Sequence, residues 1–194
     1  MRLIVASNNS HKISEIKEML VDSNLDVVGL MDVGFNQEIE ETGTSFIENA
    51  MIKATAIQKE FPMDAILADD SGFCIHYFKD APGIYSARFM GEKTSYIEKN
   101  NKILMEMKNI ENRSAYFVCA MVYLYQEYSY TTIQYVYGSV SKTIKGNEGF
   151  GYDPIFIPKE HEESFAENAK LKSEISHRSK ALKEVMDYVK YTQL

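Results

Sequence analysis

The sequence predicts an α/β protein built on a mixed, elongated central sheet flanked by helices. Three observations carry that expectation. Short apolar runs alternate with helical periodicity through the first hundred residues, as in strand–helix–strand units. From Ala115 to Tyr137 the chain is dense in aromatic and β-branched residues, with Gln126-Glu127 between two runs, which reads as a long hairpin. A hairpin joining such units excludes a purely parallel sheet. No repeat, low-complexity tract or long linker breaks the chain, so residues 1–194 are expected to form one domain, which at this length can consist of two closely joined lobes.

Each element has a local reason. Leu3 to Ala6 reads as a buried first strand. His11 to Leu20 follows as a helix, with Ile13, Ile16, Lys17 and Leu20 at helical spacing. Ser45 and Glu48 have the spacing of a capping box, in which each side chain caps the other's backbone N–H. The helix they open carries an apolar stripe of Phe46, Ile47, Ala50, Met51, Ala54 and Ile57, and Pro62 closes it. Ala65 to Ala68 reads as a strand ended by Asp69-Asp70 and turned by Ser71-Gly72. Ser95 and Glu98 form a second capping box, for a helix to about Lys108 with Ile97, Leu104 and Met107 inward. Ala115–Tyr125 and Tyr130–Tyr137 are the hairpin arms, the second open to continuation through Ser139–Thr143. Ser179 to Lys190 reads as the last helix, with Leu182, Val185, Met186 and Val189 inward.

Bulk properties exclude whole classes of partner. The net charge is −7, so a broad basic surface for nucleic acid is not expected. No apolar run approaches a membrane span. Met1 to Ala6 is too short for a signal peptide, and Cys74 and Cys119 both sit in apolar or strand-like stretches, as buried free thiols do. A cytoplasmic protein is the expectation. An acidic chain of this kind binds a small polyanion only through a local donor cluster and a divalent cation.

Five segments concentrate chemistry. Asp69-Asp70 ends an apolar run, and carboxylates there are costly unless a metal, a proton or a hydrogen bond satisfies them. In extended backbone the two point to opposite faces, so one is expected to be functional and the other structural. Ser7-Asn8-Asn9-Ser10-His11-Lys12 joins the first strand to the first helix, where unpaired N–H groups and Lys12 suit a phosphate, or where an N-cap cluster beside a solvated lysine suffices. Glu40-Glu41-Thr42-Gly43 precedes the Ser45-capped helix. Its acids either complement the helix dipole or supply a Mg²⁺ ligand alongside Asp69-Asp70.

The remaining two segments suit a nucleoside. In Gly149-Phe150-Gly151-Tyr152-Asp153-Pro154, glycines flank an aromatic that can stack on a base, and Pro154 restricts Asp153 to extended geometry. Lys172-Ser173-Glu174-Ile175-Ser176-His177-Arg178 places basic residues before a helix, against the macrodipole, which an anion or a purine carbonyl nearby makes sensible. Arg88, after Pro82-Gly83-Ile84-Tyr85-Ser86-Ala87, either serves a phosphate or pairs with a carboxylate.

Taken in order, these segments resemble the non-canonical purine nucleoside triphosphate pyrophosphatases, the inosine triphosphatase or dITP/XTP diphosphatase family. Ser7-x-Asn9-x-x-Lys12, Glu41-Thr42-Gly43, Phe46-Ile47-Glu48-Asn49-Ala50, Ala68-Asp69-Asp70-Ser71-Gly72, Pro82 to Arg88, Gly149 to Phe156 and Ile175 to Arg178 carry the resemblance across nearly the whole chain. It implies two lobes with a substrate cleft between them, a homodimer and Mg²⁺-dependent hydrolysis of ITP, dITP or XTP to the monophosphate and pyrophosphate. It also implies Asp70 as general base and metal ligand, Glu41 as the second metal carboxylate, and phosphate contacts from Ser7, Asn8, Asn9, Ser10, His11, Lys12 and Lys172. Ser71 would touch substrate, and Phe150, Gly151, Tyr152, Asp153, His177 and Arg178 would surround the nucleoside. Asn8 stands where the family often has glycine, and Phe73 and Met90 also depart from its pattern; none removes a catalytic group. A pyrophosphatase for modified pyrimidine nucleotides, a phosphatase with an aspartate nucleophile, and a non-catalytic nucleotide-binding module are the competing readings.

Overall fold

The computed structural model describes residues 1–193 and contains a seven-stranded mixed sheet. In chain order the elements are β1 (Arg2–Val5), α1 (Ser10–Met19), β2 (Asp26–Gly29), α2 (Phe46–Glu60), β3 (Ala65–Ile75), β4 (Ala81–Pro82), α3 (Tyr96–Glu106), β5 (Ser114–Tyr125), β6 (Tyr128–Val140), β7 (Phe156–Pro158), α4 (Ala169–Ile175) and α5 (His177–Gln193). The strand order is β2-β1-β3-β5-β6-β7, with β4 beside β3. β1 pairs parallel with β2 and β3, whereas β3–β4 and β6–β7 are antiparallel. No helix among the described residues is long and apolar enough to cross a membrane.

The chain forms two compact units. The first comprises residues 1–70, 119–134 and the chain from Arg178; the second comprises 71–118 and 135–177. In the first unit, strand alternation sorts residues to two cores. Leu3, Val5, Ala65, Leu67, Cys119 and Met121 pack with α1 and α5, through Ile16, Ala181, Leu182 and Val185. Ile4, Ala6, Ile66, Ala68, Ala120 and Val122 pack with α2, through Ala50, Ala54 and Ile57. The core of the second unit is aromatic: Phe73, Phe117, Tyr152, Phe156 and Phe165 pack with Ile103 and Met107 of α3.

Both predicted capping boxes form, on Ser45/Glu48 and Ser95/Glu98. Four expectations need correction. Asp153, expected to be extended ahead of Pro154, instead opens a 3-10 turn, Asp153–Ile155. β3 does not end at the aspartates: it runs on to Ile75, because Phe73 and Ile75 continue the buried alternation and Gly72 imposes no turn. On α3, Leu104 and Met107 pack on the core as expected, joined by the buried Lys99, Asn100 and Ile103, whereas Ile97 is largely exposed. The last helix begins earlier than Ser179 and follows a separate helix, α4, that the mostly polar stretch of residues 167–174, with only Ala169 and Leu171 apolar, concealed.

Candidate active site

The alternation of β3 decides what each aspartate meets. Asp69 continues the Ala65–Leu67 side and Asp70 the Ile66–Ala68 side, so the two carboxylates sit in different surroundings although both are buried.

Asp70 faces α2. Asn49 donates from Nδ2 to its Oδ2 at 3.2 Å, while the Asn49 Oδ1 accepts from Gly43 N at 2.9 Å. Asn49 thus ties the Glu41-Thr42-Gly43 loop to the strand. Glu48 Oε2 accepts from Thr44 N, Thr44 Oγ1 and Ser45 N, so the capping box also fixes the loop's end. Lys53, one turn beyond Asn49, places its ammonium 2.7 Å from Glu41 Oε1 and 3.7 Å from Asp70 Oδ1. The two carboxylates expected to hold Mg²⁺ therefore converge on one cation. Burial raises the Asp70 carboxyl above its ordinary range, against the pull of Lys53 and Lys12. Lys53 stays protonated: burial opposes its charge, but Asp70, Asp69 and Glu41 together raise its pKa.

Asp69 faces α1 and α5. Its Oδ2 lies 3.1 Å from Lys12 Nζ and accepts from Arg178 Nε and Nη2 at 3.3 and 3.1 Å. Arg178 Nη1 also donates to Glu15 at 2.7 Å. Burial would raise the Asp69 carboxyl, yet Lys12, Arg178 and Lys53 outweigh it and hold the group well below the usual carboxylate range. Beside it, burial pushes the Cys119 thiol up to about 12, which rules it out as a nucleophile at neutral pH.

In the Ser7–Lys12 loop, Asn9 Oδ1 caps α1 by accepting from His11 N and Lys12 N at 3.0 and 3.2 Å, and Ser7 Oγ accepts from Asn9 N. The N-cap reading of Asn9 therefore holds, but Lys12 is not solvated: it is engaged by Asp69. Asn8, Ser10 and His11 are exposed.

The second unit organises its own set around Asp153. Asp153 Oδ2 accepts from Phe150 N at 2.8 Å and from Lys172 Nζ at 2.6 Å, and the same ammonium lies 4.5 Å from the centre of the Phe150 ring. Asn100 Nδ2 donates to the Gly151 carbonyl at 3.0 Å. Gly149 must be glycine, since at φ +71° a Cβ would lie 2.4 Å from the Asp153 carboxylate. Tyr152 is buried, its hydroxyl donating to Ser86 O and its ring stacked on Phe73. His177 is buried and stacked on Phe117 at 4.8 Å. Ser71 is half-buried on β3, and Arg88 is exposed, lying over the Tyr85 ring.

Residues 3–188 match the model of the Ham1 family. The chain belongs to the Ham1 family. Its similarity to other members is end to end: it is 40% identical to a dITP/XTP pyrophosphatase of Clostridium perfringens, covering 97% of each chain. It is 42% identical to one from Bacillus subtilis, over 94% of this chain and 93% of that one. The structure superposes on the Staphylococcus aureus Ham1 protein with a TM-score of 0.86 at 32% identity, covering all of both chains.

Within this Ham1-family chain, four residues at the three clusters were given no site role by the sequence reading: Asn49, Lys53, Glu15 and Asn100. Lys53 left the clearest signal. It lies on the buried stripe of α2, three residues after Ala50 and four before Ile57, where a lysine is out of place unless paired. Gly43 carries a prediction. A Cβ there would sit 2.6 Å from Asn49 Oδ1 and 2.7 Å from Glu48 Cβ, so Gly43→Ala must displace the loop or the helix start. It is expected to cost about 1–3 kcal/mol, read from urea denaturation.

Proposed function

We propose that this chain hydrolyses non-canonical purine nucleoside triphosphates (ITP, dITP and XTP) to the monophosphate and pyrophosphate. The observation that carries the reading is the convergence of Glu41 and Asp70, 29 positions apart in the chain, on one buried cation. The names of the Clostridium perfringens and Bacillus subtilis relatives support it.

The donor set suits Mg²⁺. That ion takes one or two carboxylates and completes its octahedron with water and substrate phosphates. Glu41 and Asp70 are such a pair, and among the described residues no group of three acidic, histidine or cysteine side chains forms a self-sufficient cage. Bound there, Mg²⁺ would neutralise charge on the departing pyrophosphate. Asp70 orients and deprotonates the attacking water, whereas Lys12 and Arg178 hold Asp69 as a stabilised carboxylate that makes a weaker base. Lys12 and the Ser7–His11 segment hold the phosphates, with Ser71 touching substrate, and Asp69 sets where the Lys12 ammonium lies.

The nucleoside falls to Phe150, Gly151, Tyr152, Asp153, His177 and Arg178, and Lys172 reaches the phosphates. Lys172, engaged by Asp153 and lying over Phe150, also serves to fix the stacking ring at the nucleoside end. Arg178 is a donor-only group held in place by Asp69 and Glu15; a donor it still presents to position 6 of the base would favour an oxo purine over adenine. We further assign the protein to the cytoplasm, as a homodimer, without nucleic-acid or membrane partners. The test is ITP with Mg²⁺, resolving products. IMP and pyrophosphate are expected; orthophosphate as the first product, or equal kcat/KM for ATP and ITP, overturns the assignment.

A further inference from the structure

We propose that Lys53 is a built-in counter-cation that keeps a divalent metal from Glu41 and Asp70 until a polyphosphate arrives with it. This rests on the reading of those carboxylates as metal ligands. The Lys53 side chain is nearly buried, and its ammonium contacts Glu41 at 2.7 Å and Asp70 at 3.7 Å. A metal that takes both carboxylates must displace this charge or bind beside it. At contact distances, in partly water-excluded surroundings, repulsion between two cations is strong and salt screens it little. The ammonium moves only as far as its tethered stem allows. Its stem rises from the buried face of α2 between Ala50 and Ala54, and the Ser45/Glu48 capping box fixes the start of that helix.

A polyphosphate changes the balance. It offers the ammonium a second anionic partner and brings a metal already partly neutralised by its own oxygens. Metal and polyphosphate therefore bind cooperatively, and linkage makes the effect reciprocal. The metal-free site keeps the half-buried Glu41 and the buried Asp70 compensated by one cation. Lys53 is thus a positioning residue whose removal is expected to strengthen metal binding, the opposite of what loss of a purely structural contact would do.

The experiment is titration of the whole protein with Mn²⁺ alone, without nucleotide, following loss of the free-ion electron paramagnetic resonance signal. Lys53→Met keeps the apolar stem and removes the charge; Lys53→Gln is measured in parallel in case Met impairs folding. Either neutral variant is expected to lower the Mn²⁺ Kd at least about tenfold. Lys53→Arg, which keeps the charge, should stay close to wild type. A Kd unchanged or raised in the folded neutral variants, or a tightening as large in Lys53→Arg, overturns the proposal. Adding Glu41→Gln to Lys53→Met separates the two readings. Loss of the gained affinity supports both, whereas tightening that survives Glu41→Gln overturns the metal-site reading itself.

Discussion

Asp70→Asn lowers kcat for ITP hydrolysis by about 10²–10⁴-fold, the contribution of a positioned general base. The substitution is close to isosteric, so the β3 backbone and the packing against α2 survive; what disappears is proton-accepting capacity and one negative charge facing Lys53. The requirement for Mg²⁺ is expected to rise as well, because Asp70 is also a proposed metal ligand, so kcat is read at saturating metal, where Lys12 and the Ser7–His11 segment still hold the phosphates. Initial rates of pyrophosphate release at saturating ITP and Mg²⁺ provide the measurement, and near-normal turnover would falsify the assignment of the base. The neighbouring aspartate does not substitute for it. Lys12 and Arg178 hold the Asp69 carboxyl far into its ionised range, and a carboxylate so stabilised is a weak base. Alternation along one strand thus places two adjacent, chemically identical residues in different surroundings, one beside Lys53 and Asn49 and the other between Lys12 and Arg178.

That division shows what the sequence could and could not reveal. Opposite orientation of Asp69 and Asp70 follows from strand geometry alone. So do both capping boxes, since a serine followed three residues later by a glutamate is a local signal. The continuation of β3 through Ser71-Gly72 was hidden because Ser-Gly reads as a turn, whereas the strand's neighbours in the sheet include β5, remote in the chain, and β4 pairs only its end at Cys74 and Ile75. The partners of Asp69 were hidden for a related reason. Lys12, Glu15 and Arg178 are near one another only once α1 and α5 pack against the same side of the sheet, and the Glu15–Arg178 contact spans 163 positions. Lys53 was legible in principle, as a charge on an apolar stripe, but its carboxylate partners were not.

Asp69→Ala is expected to destabilise the fold by about 3–5 kcal/mol, the cost of stripping one partner from a buried ion pair. The loss falls mainly on Arg178, whose side chain is 2% exposed; Lys12, at 14%, has an easier route to water. Glu15 still holds one end of the guanidinium, which keeps the effect from being larger. Urea denaturation reads the change as a fall in midpoint with an unaltered slope. Arg178→Met, combined with it, supplies the control. If the penalty is an uncompensated buried charge, the double variant is less destabilised than the two singles add up to, by at least about 1 kcal/mol. Strict additivity would assign the loss to packing around the β3 backbone. A cost under about 1 kcal/mol for Asp69→Ala, within the range of an exposed pair, would mean that the buried Lys12–Asp69–Arg178 cluster contributes no more than a surface contact.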